Sequence, residues 1–182
     1  MLYQKIKSYL FKYKKKFLVI GIIFILGFFV PYKYNYKDSI KYIQSESGQK
    51  SKCQCAWYVM RALQEGGCYP CLIYPAYAYK DILPRLGAKE INESEIQAGD
   101  ICVISQNSSS AFGHICIYDG DYWYSDFKQG EKNFPYKEEY KKESVIQYFR
   151  IEEGWHTANI WITPFEATEY LICLMTNIKK VI

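Results

Sequence analysis

Three residues of this chain have types and settings suited to covalent chemistry: Cys55, His114 and Asp126. Cys55 stands at the start of a stretch, residues 54–65, in which Ala56, Val59, Met60 and Leu63 recur at helical spacing. A thiol at a helix N-terminus is expected to have its pKa lowered by the helix dipole. Free N–H groups there can also receive a developing oxyanion. Cys55 is therefore a candidate nucleophile, and the plainer reading is a buried or disulfide-bonded cysteine. His114 is one of 2 histidines and begins an apolar run, Ile115-Cys116-Ile117-Tyr118. A strand there would fix the direction of its ring, as a general base requires; the plainer reading is an ordinary histidine at a strand end. His156, in Gly154-Trp155-His156, has no such setting and is the weaker candidate. Asp126 follows His114 across the Asp119-Gly120 turn, so an adjacent antiparallel strand could bring it beside the imidazole. Its plainer reading is an exposed acid.

The elements that must position these residues are legible in the pattern. The helix over residues 54–65 is stopped by Gly66-Gly67. A second short helix is expected over 75–87, interrupted by Pro84 and ended by Gly87. From Ala98 the grammar changes to β: Ile101 to Ile104, a Ser-rich loop over 105–112, His114 to Tyr118, and Tyr122 to Phe127. Strand-like runs come next at Val145 to Ile151 and Asn159 to Ile162, and Glu166 to Thr176 reads as helix. Helices followed by an antiparallel meander give an α+β plan.

Charge is unevenly spread over the 182 residues. The net charge is +4, but residues 1–33 hold seven lysines and no acid, which leaves 16 basic against 19 acidic residues in the remainder. A globular part near −3 has no electrostatic footprint for nucleic acid. Lys14, Lys15 and Lys16 precede Phe17 to Val30, an uncharged apolar run of 14 residues. Basic residues before such a run stay cytoplasmic, and the chain after the run is sent across the membrane. Residues 1–33 are thus expected to be a single-pass transmembrane anchor with the catalytic domain outside the cytoplasm. The alternative is a signal peptide that is cleaved on secretion; no small-x-small cleavage site comes after the run. Residues 34–50 are expected to be a linker or a short amphipathic lead-in, and residues 51–182 the main domain.

The motifs around the three residues resemble a known superfamily. Gln54-Cys55-Ala56-Trp57-Tyr58-Val59 is similar to the nucleophile helix of the CHAP cysteine amidohydrolases and peptidases. Gly99-Asp100-Ile101, then Gly113-His114-Ile115-Cys116-Ile117-Tyr118-Asp119-Gly120, resembles the part these share with NlpC-like wall peptidases. Tyr122-Trp123-Tyr124-Ser125-Asp126-Phe127-Lys128-Gln129 resembles a branch that includes secreted antibacterial peptidoglycan amidases. The resemblance covers roughly residues 50–130. It implies a papain-like α+β fold, no cofactor or metal, cleavage of an amide or peptide bond, often in peptidoglycan, and catalytic roles for Cys55, His114 and Asp126. It also implies a peptidoglycan peptide substrate and, for an antibacterial enzyme, an inhibitory or immunity protein as partner. Two departures stand out. Cys53 replaces a small residue often found two before the nucleophile, and the tail from Gly130 matches nothing in the pattern.

Two rivals belong to other classes. Cys53-x-Cys55 with Cys68-x-x-Cys71 offers four thiols for a structural zinc site. A catalytically inactive anchored module for wall or protein binding would keep the fold without turnover. The chain has 7 cysteines, so at least one is unpaired within the monomer. If exported, some are expected to pair, with Cys68 or Cys71 the first candidates and Cys102 and Cys116 small core residues.

Overall fold

A computed structural model describes residues 29–68, 75–129, 135 and 138–159 of the chain. It has an α+β architecture. Helix α1 (Tyr36–Glu46) and helix α2 (Cys55–Glu65) pack on one another and on a five-stranded antiparallel sheet. That sheet contains β2 (Lys89–Ile91), β3 (Ile101–Ile104), β4 (His114–Tyr118), β5 (Trp123–Tyr124) and β6 (Ile146–Arg150), in the order β2-β6-β3-β4-β5. A separate two-stranded sheet pairs β1 (Phe29–Tyr34) with β7 (Gly154–Asn159). Short α3 (Tyr79–Ile82), flanked by single turns at Ala76–Ala78 and Pro84–Leu86, replaces the one helix expected over 75–87. Helix α4 (Glu138–Glu143) lies just before β6.

β3 and β4 are buried on both faces, which is why they read as continuous apolar runs. One face carries Ile101, Val103, Ile115 and Ile117 against Val59, Ala62 and Leu63 of α2 and Ile43 of α1. The other carries Cys102, Ile104 and Cys116 against Trp123, Tyr148 and Tyr140. Register pairs Cys102 with Cys116, and both are fully buried. Cys53, Cys55, Cys68, Cys102 and Cys116 are free thiols. Cys68 is sealed in the core with its pKa pushed up to about 12, chiefly by burial. Cys71, the other first candidate for a disulfide, lies outside the described residues.

Residues 36–46 are the lead-in helix, not a free linker. Asn35 caps α1 by accepting from the Lys37 N–H, and Ile43 is fully buried. The Asn35 N–H donates to the Gly66 carbonyl at 2.8 Å, tying the start of α1 to the end of α2. A side chain at Gly66 would run into Ser39 Oγ and the Asn35 carbonyl, so only glycine permits this approach. The signal was present in the sequence: Asn35 before Tyr36, Ile40 and Ile43 at i, i+4 and i+7.

The anchor expected over residues 1–33 falls mostly outside the described residues. Its last part, from Phe29, is strand β1, registered from Phe29 against Asn159 to Tyr34 against Gly154. Among the described residues no helix is long and apolar enough to cross a membrane. Of the strand expected at Asn159 to Ile162, Asn159 is described and belongs to β7. Residues 160–182, with the expected helix Glu166 to Thr176, lie outside the described residues.

Candidate active site

The strand expected over Tyr122 to Phe127 lasts two residues, and its early end shapes the site. After Tyr124 the chain turns back on itself. The Ser125 N–H donates to the Phe127 carbonyl at 3.0 Å and the Gln129 N–H to the Trp123 carbonyl at 3.0 Å. This turn sends Asp126 one way and returns Gln129 toward β4.

Asp126 is fully buried, and its carboxylate organises the loop before α2. It accepts from the backbone N–H of Lys52 at 2.5 Å and of Gln54 at 3.2 Å, and from the hydroxyls of Ser51 at 3.2 Å and Ser125 at 3.1 Å. Burial alone would raise its pKa. The N–H donors of Gln54 and Lys52, with the two hydroxyls, outweigh burial and hold the carboxyl below its ordinary value. The residue that meets the His114 ring at Nε2 is Gln129, whose side-chain amide lies 2.7 Å away. The sequence pattern did not single out Gln129. Its signal was its place at the end of the Tyr122-to-Gln129 motif, and only the turn at 125–128 reveals what it faces.

His114 opens β4 directly after Gly113, where a side chain would strike the Ile104 carbonyl and φ is +66°. The ring is buried, and burial pushes its pKa down to about 4, with the Asp126 charge opposing. Cys55 is half-buried in the first turn of α2. Its thiol pKa is raised, contrary to the value expected for a helix start. Burial is the largest cause; the Ile115 N–H opposes it, the Asp126 charge adds to it, and the N–H groups of Ala56 and Cys55 oppose it. Desolvation therefore outweighs the N–H groups at the helix start and on β4. The contact with the Ile115 N–H sets the sulfur against β4 at the residue after His114. Both groups are neutral at pH 7: a thiol set against β4 and an uncharged imidazole at the start of that strand.

The Gln129 amide can offer an oxygen or an N–H at His114 Nε2. With its nitrogen there, the amide also donates to Ser125 Oγ at 3.4 Å, and the buried Oε1 has no partner. With its oxygen there, Nε2–H donates to Oε1, and the basic lone pair falls on Nδ1. An imidazolium has two donors, so the second arrangement is the one a proton-accepting histidine needs.

Beside Cys55 opens a cleft of about 540 Å³, lined by Cys53, Gln54, Cys55, Ala56, Trp57, Pro75, Ala76 and Phe112. Trp57 and Phe112 are exposed and give it an apolar rim. His156 is not part of this site: it stacks on Tyr32 at 5.4 Å in the β1–β7 sheet, with Nε2 2.6 Å from the Glu152 carbonyl. Nor do Cys55 and Cys68 of the zinc reading come together. Cys55 and Cys68 flank opposite ends of 11-residue α2, which separates them by roughly 15 Å. Among the described residues, no group of three or more His, Cys, Asp or Glu side chains could hold a metal ion.

No protein-family model matches the sequence, and no curated protein does. Two solved structures are similar to it, both of the type VI effector–immunity complex Tae3–Tai3 from Ralstonia pickettii. The native complex holds a chain that matches with a TM-score of 0.60 and 28% identity, covering 65% of this chain and 100% of that one. In the selenomethionine complex the values are 0.55 and 29%, covering 61% of this chain and 97% of that one.

Proposed function

We propose that this chain is a cysteine-dependent hydrolase that cleaves an amide or peptide bond in bacterial peptidoglycan, acting as a type VI-like effector. The observation that carries the reading is the Cys55 thiol, lining an open cleft and set by the Ile115 N–H against the strand that His114 opens, with the Gln129 amide at His114 Nε2. Likeness to the Tae3–Tai3 complex supports it, as does the resemblance to CHAP and NlpC-like enzymes. In this reading His114 Nδ1 takes the Cys55 proton as sulfur attacks the scissile carbonyl carbon. The N–H groups at the start of α2 receive the oxyanion. The imidazolium then protonates the leaving amine, and the Cys55 thioester is hydrolysed by a water that His114 activates. The buried Asp126 charge favours the imidazolium, and its bonds to the loop at 51–54 fix the approach of Cys55.

An immunity protein that covers the cleft is the partner this reading implies, and the lysine-flanked apolar run over residues 17–30 implies export with the domain outside the cytoplasm. The test is mass spectrometry of purified peptidoglycan digested by the protein. New muropeptide ends should appear with wild type and disappear with Cys55→Ala or His114→Ala. The double variant should be no worse than either single one, because members of a catalytic unit are non-additive. Digestion by Cys55→Ala at the wild-type rate would sink the reading.

A further inference from the structure

The cleft holds a second thiol that this mechanism does not use. Cys53 is exposed and lines the same cleft as Cys55, with one residue between them. Its φ is +58°, and among the described residues it is the one non-glycine residue in the left-handed region. That conformation costs a residue with a Cβ on the order of 1 kcal/mol and persists only where the surroundings hold it. Here Ser51 Oγ accepts the Cys53 N–H at 3.2 Å, and Asp126 accepts the N–H groups of Lys52 and Gln54 on either side. Gln54 is folded, with φ −124° and ψ 23°. The Cα atoms of Cys53 and Cys55 therefore stand closer than the ~7 Å that two extended residues span, within the ~4.4–6.8 Å that a disulfide accepts. Cys102 and Cys116, the other neighbouring pair, are fully buried and out of reach of a solution oxidant.

We propose that Cys53 is a redox modification site that forms a reversible disulfide with Cys55 when the protein meets a low-molecular-weight disulfide, and so locks the nucleophile. The exposed Cys53 thiol loses its proton to solvent and attacks one sulfur of the small disulfide, releasing one small thiolate. Cys55 then loses its proton and attacks Cys53 Sγ, forming the Cys53–Cys55 bond and expelling the second small thiolate. Two protein thiols are oxidised by two electrons and one small disulfide is reduced to two thiols. A second exchange with a small thiol reverses the bond and restores Cys55.

The loss of turnover rests on Cys55 as nucleophile; the disulfide itself does not. Full-length protein is treated with excess oxidised glutathione, alkylated and digested with trypsin. Cleavage after Lys52 and Arg61 releases residues 53–61, which carry these two cysteines and no other. The peptide should be two hydrogens lighter, turnover should fall at least tenfold, and dithiothreitol should reverse both. In Cys53→Ser, measured against its own starting rate, inactivation should be at least tenfold slower, because half-buried Cys55 must then meet the oxidant directly. Two free thiols in the wild-type peptide, or glutathione retained on Cys53 without ring closure, would overturn the proposal even if the variant fails to fold. A disulfide formed with full turnover would instead overturn Cys55 as nucleophile.

Discussion

At the scale of single residues, His114 is tuned by burial and by two partners with different tasks. Gln129 touches Nε2, while Asp126 acts through charge and through the loop before Cys55. Gln129→Ala should lower kcat by about 10- to 100-fold with little change in KM, since it removes a positioning contact and leaves the cleft intact. Asp126→Ala should leave measurable turnover but raise KM as well, because the loop at 51–54 also lines the cleft. Equal effects on both constants from the two variants would merge their roles. The depressed His114 pKa makes a further expectation. Its neutral, basic form survives down to a pKa of about 4, so the acid limb of kcat/KM should lie near pH 4 and not near pH 6.5. Stability carries the same sign. The unfolded chain binds the proton first, below about pH 6.5, so folding stability is whole above that pH and falls as pH drops toward 4. The loss is on the order of 3 kcal/mol, and it should vanish in His114→Asn when urea unfolding at pH 7 and pH 4.5 is compared between the two proteins. Parallel losses in both proteins would refute burial of a neutral ring.

At the scale of elements, an ion pair fastens the sheet that presents His114. Arg150, the last residue of β6, places Nε 2.8 Å from Asp100 Oδ1 and Nη2 2.7 Å from Oδ2, and Asp100 is fully buried just before β3. The Gln97 N–H also donates to this carboxylate, at 2.7 Å. Arg150→Ala would leave a buried carboxylate with one backbone donor and should cost roughly 3–5 kcal/mol. Arg150→Lys should recover only part of this, since an ammonium cannot make the paired contact. Thermal unfolding of the three proteins ranks them; wild-type stability in Arg150→Ala would show the pair to be ornamental. The resemblance to the Gly-Asp pattern of wall peptidases placed Asp100 in a motif, and the fold gives that aspartate a structural task, holding β6 to the strand beside β4.

At the scale of the whole molecule, β1 draws Phe29 and Val30 out of the apolar run. Twelve of its residues, Phe17 to Phe28, lie outside the described residues. As a helix that length rises about 18 Å against a hydrocarbon core of about 30 Å, and it falls within the length of a signal-peptide core. The domain should therefore leave the cytoplasm. Protease added to spheroplasts should digest the domain without lysis, and the N-terminal sequence of the mature protein separates anchor from cleaved leader. A domain protected until the membrane is lysed would overturn export, and a wall substrate with it.

The sequence by itself determined the local elements near the chemistry. Helical spacing ended by two glycines set α2 to within a residue, and a run of apolar residues between a Gly-His start and an Asp-Gly turn set β4. Those signals are short-range: periodicity, caps and turns depend on neighbours a few residues away. The α1 stripe was equally local, though diluted by Lys37, Asp38, Lys41 and Ser45 on its outer face. What only the tertiary structure decided were the long-range partners. The pairing of β1 with β7 joins residues more than a hundred positions apart, and no local pattern encodes it. β5 ends early where Asp126 finds four donors, three of them in the loop at 51–54, in place of further ladder pairing. That same turn handed the ring of His114 to Gln129. The thiol pKa also reversed direction from the one the helix start suggested, because burial of Cys55 is a property of the packed molecule and the dipole is a property of the helix.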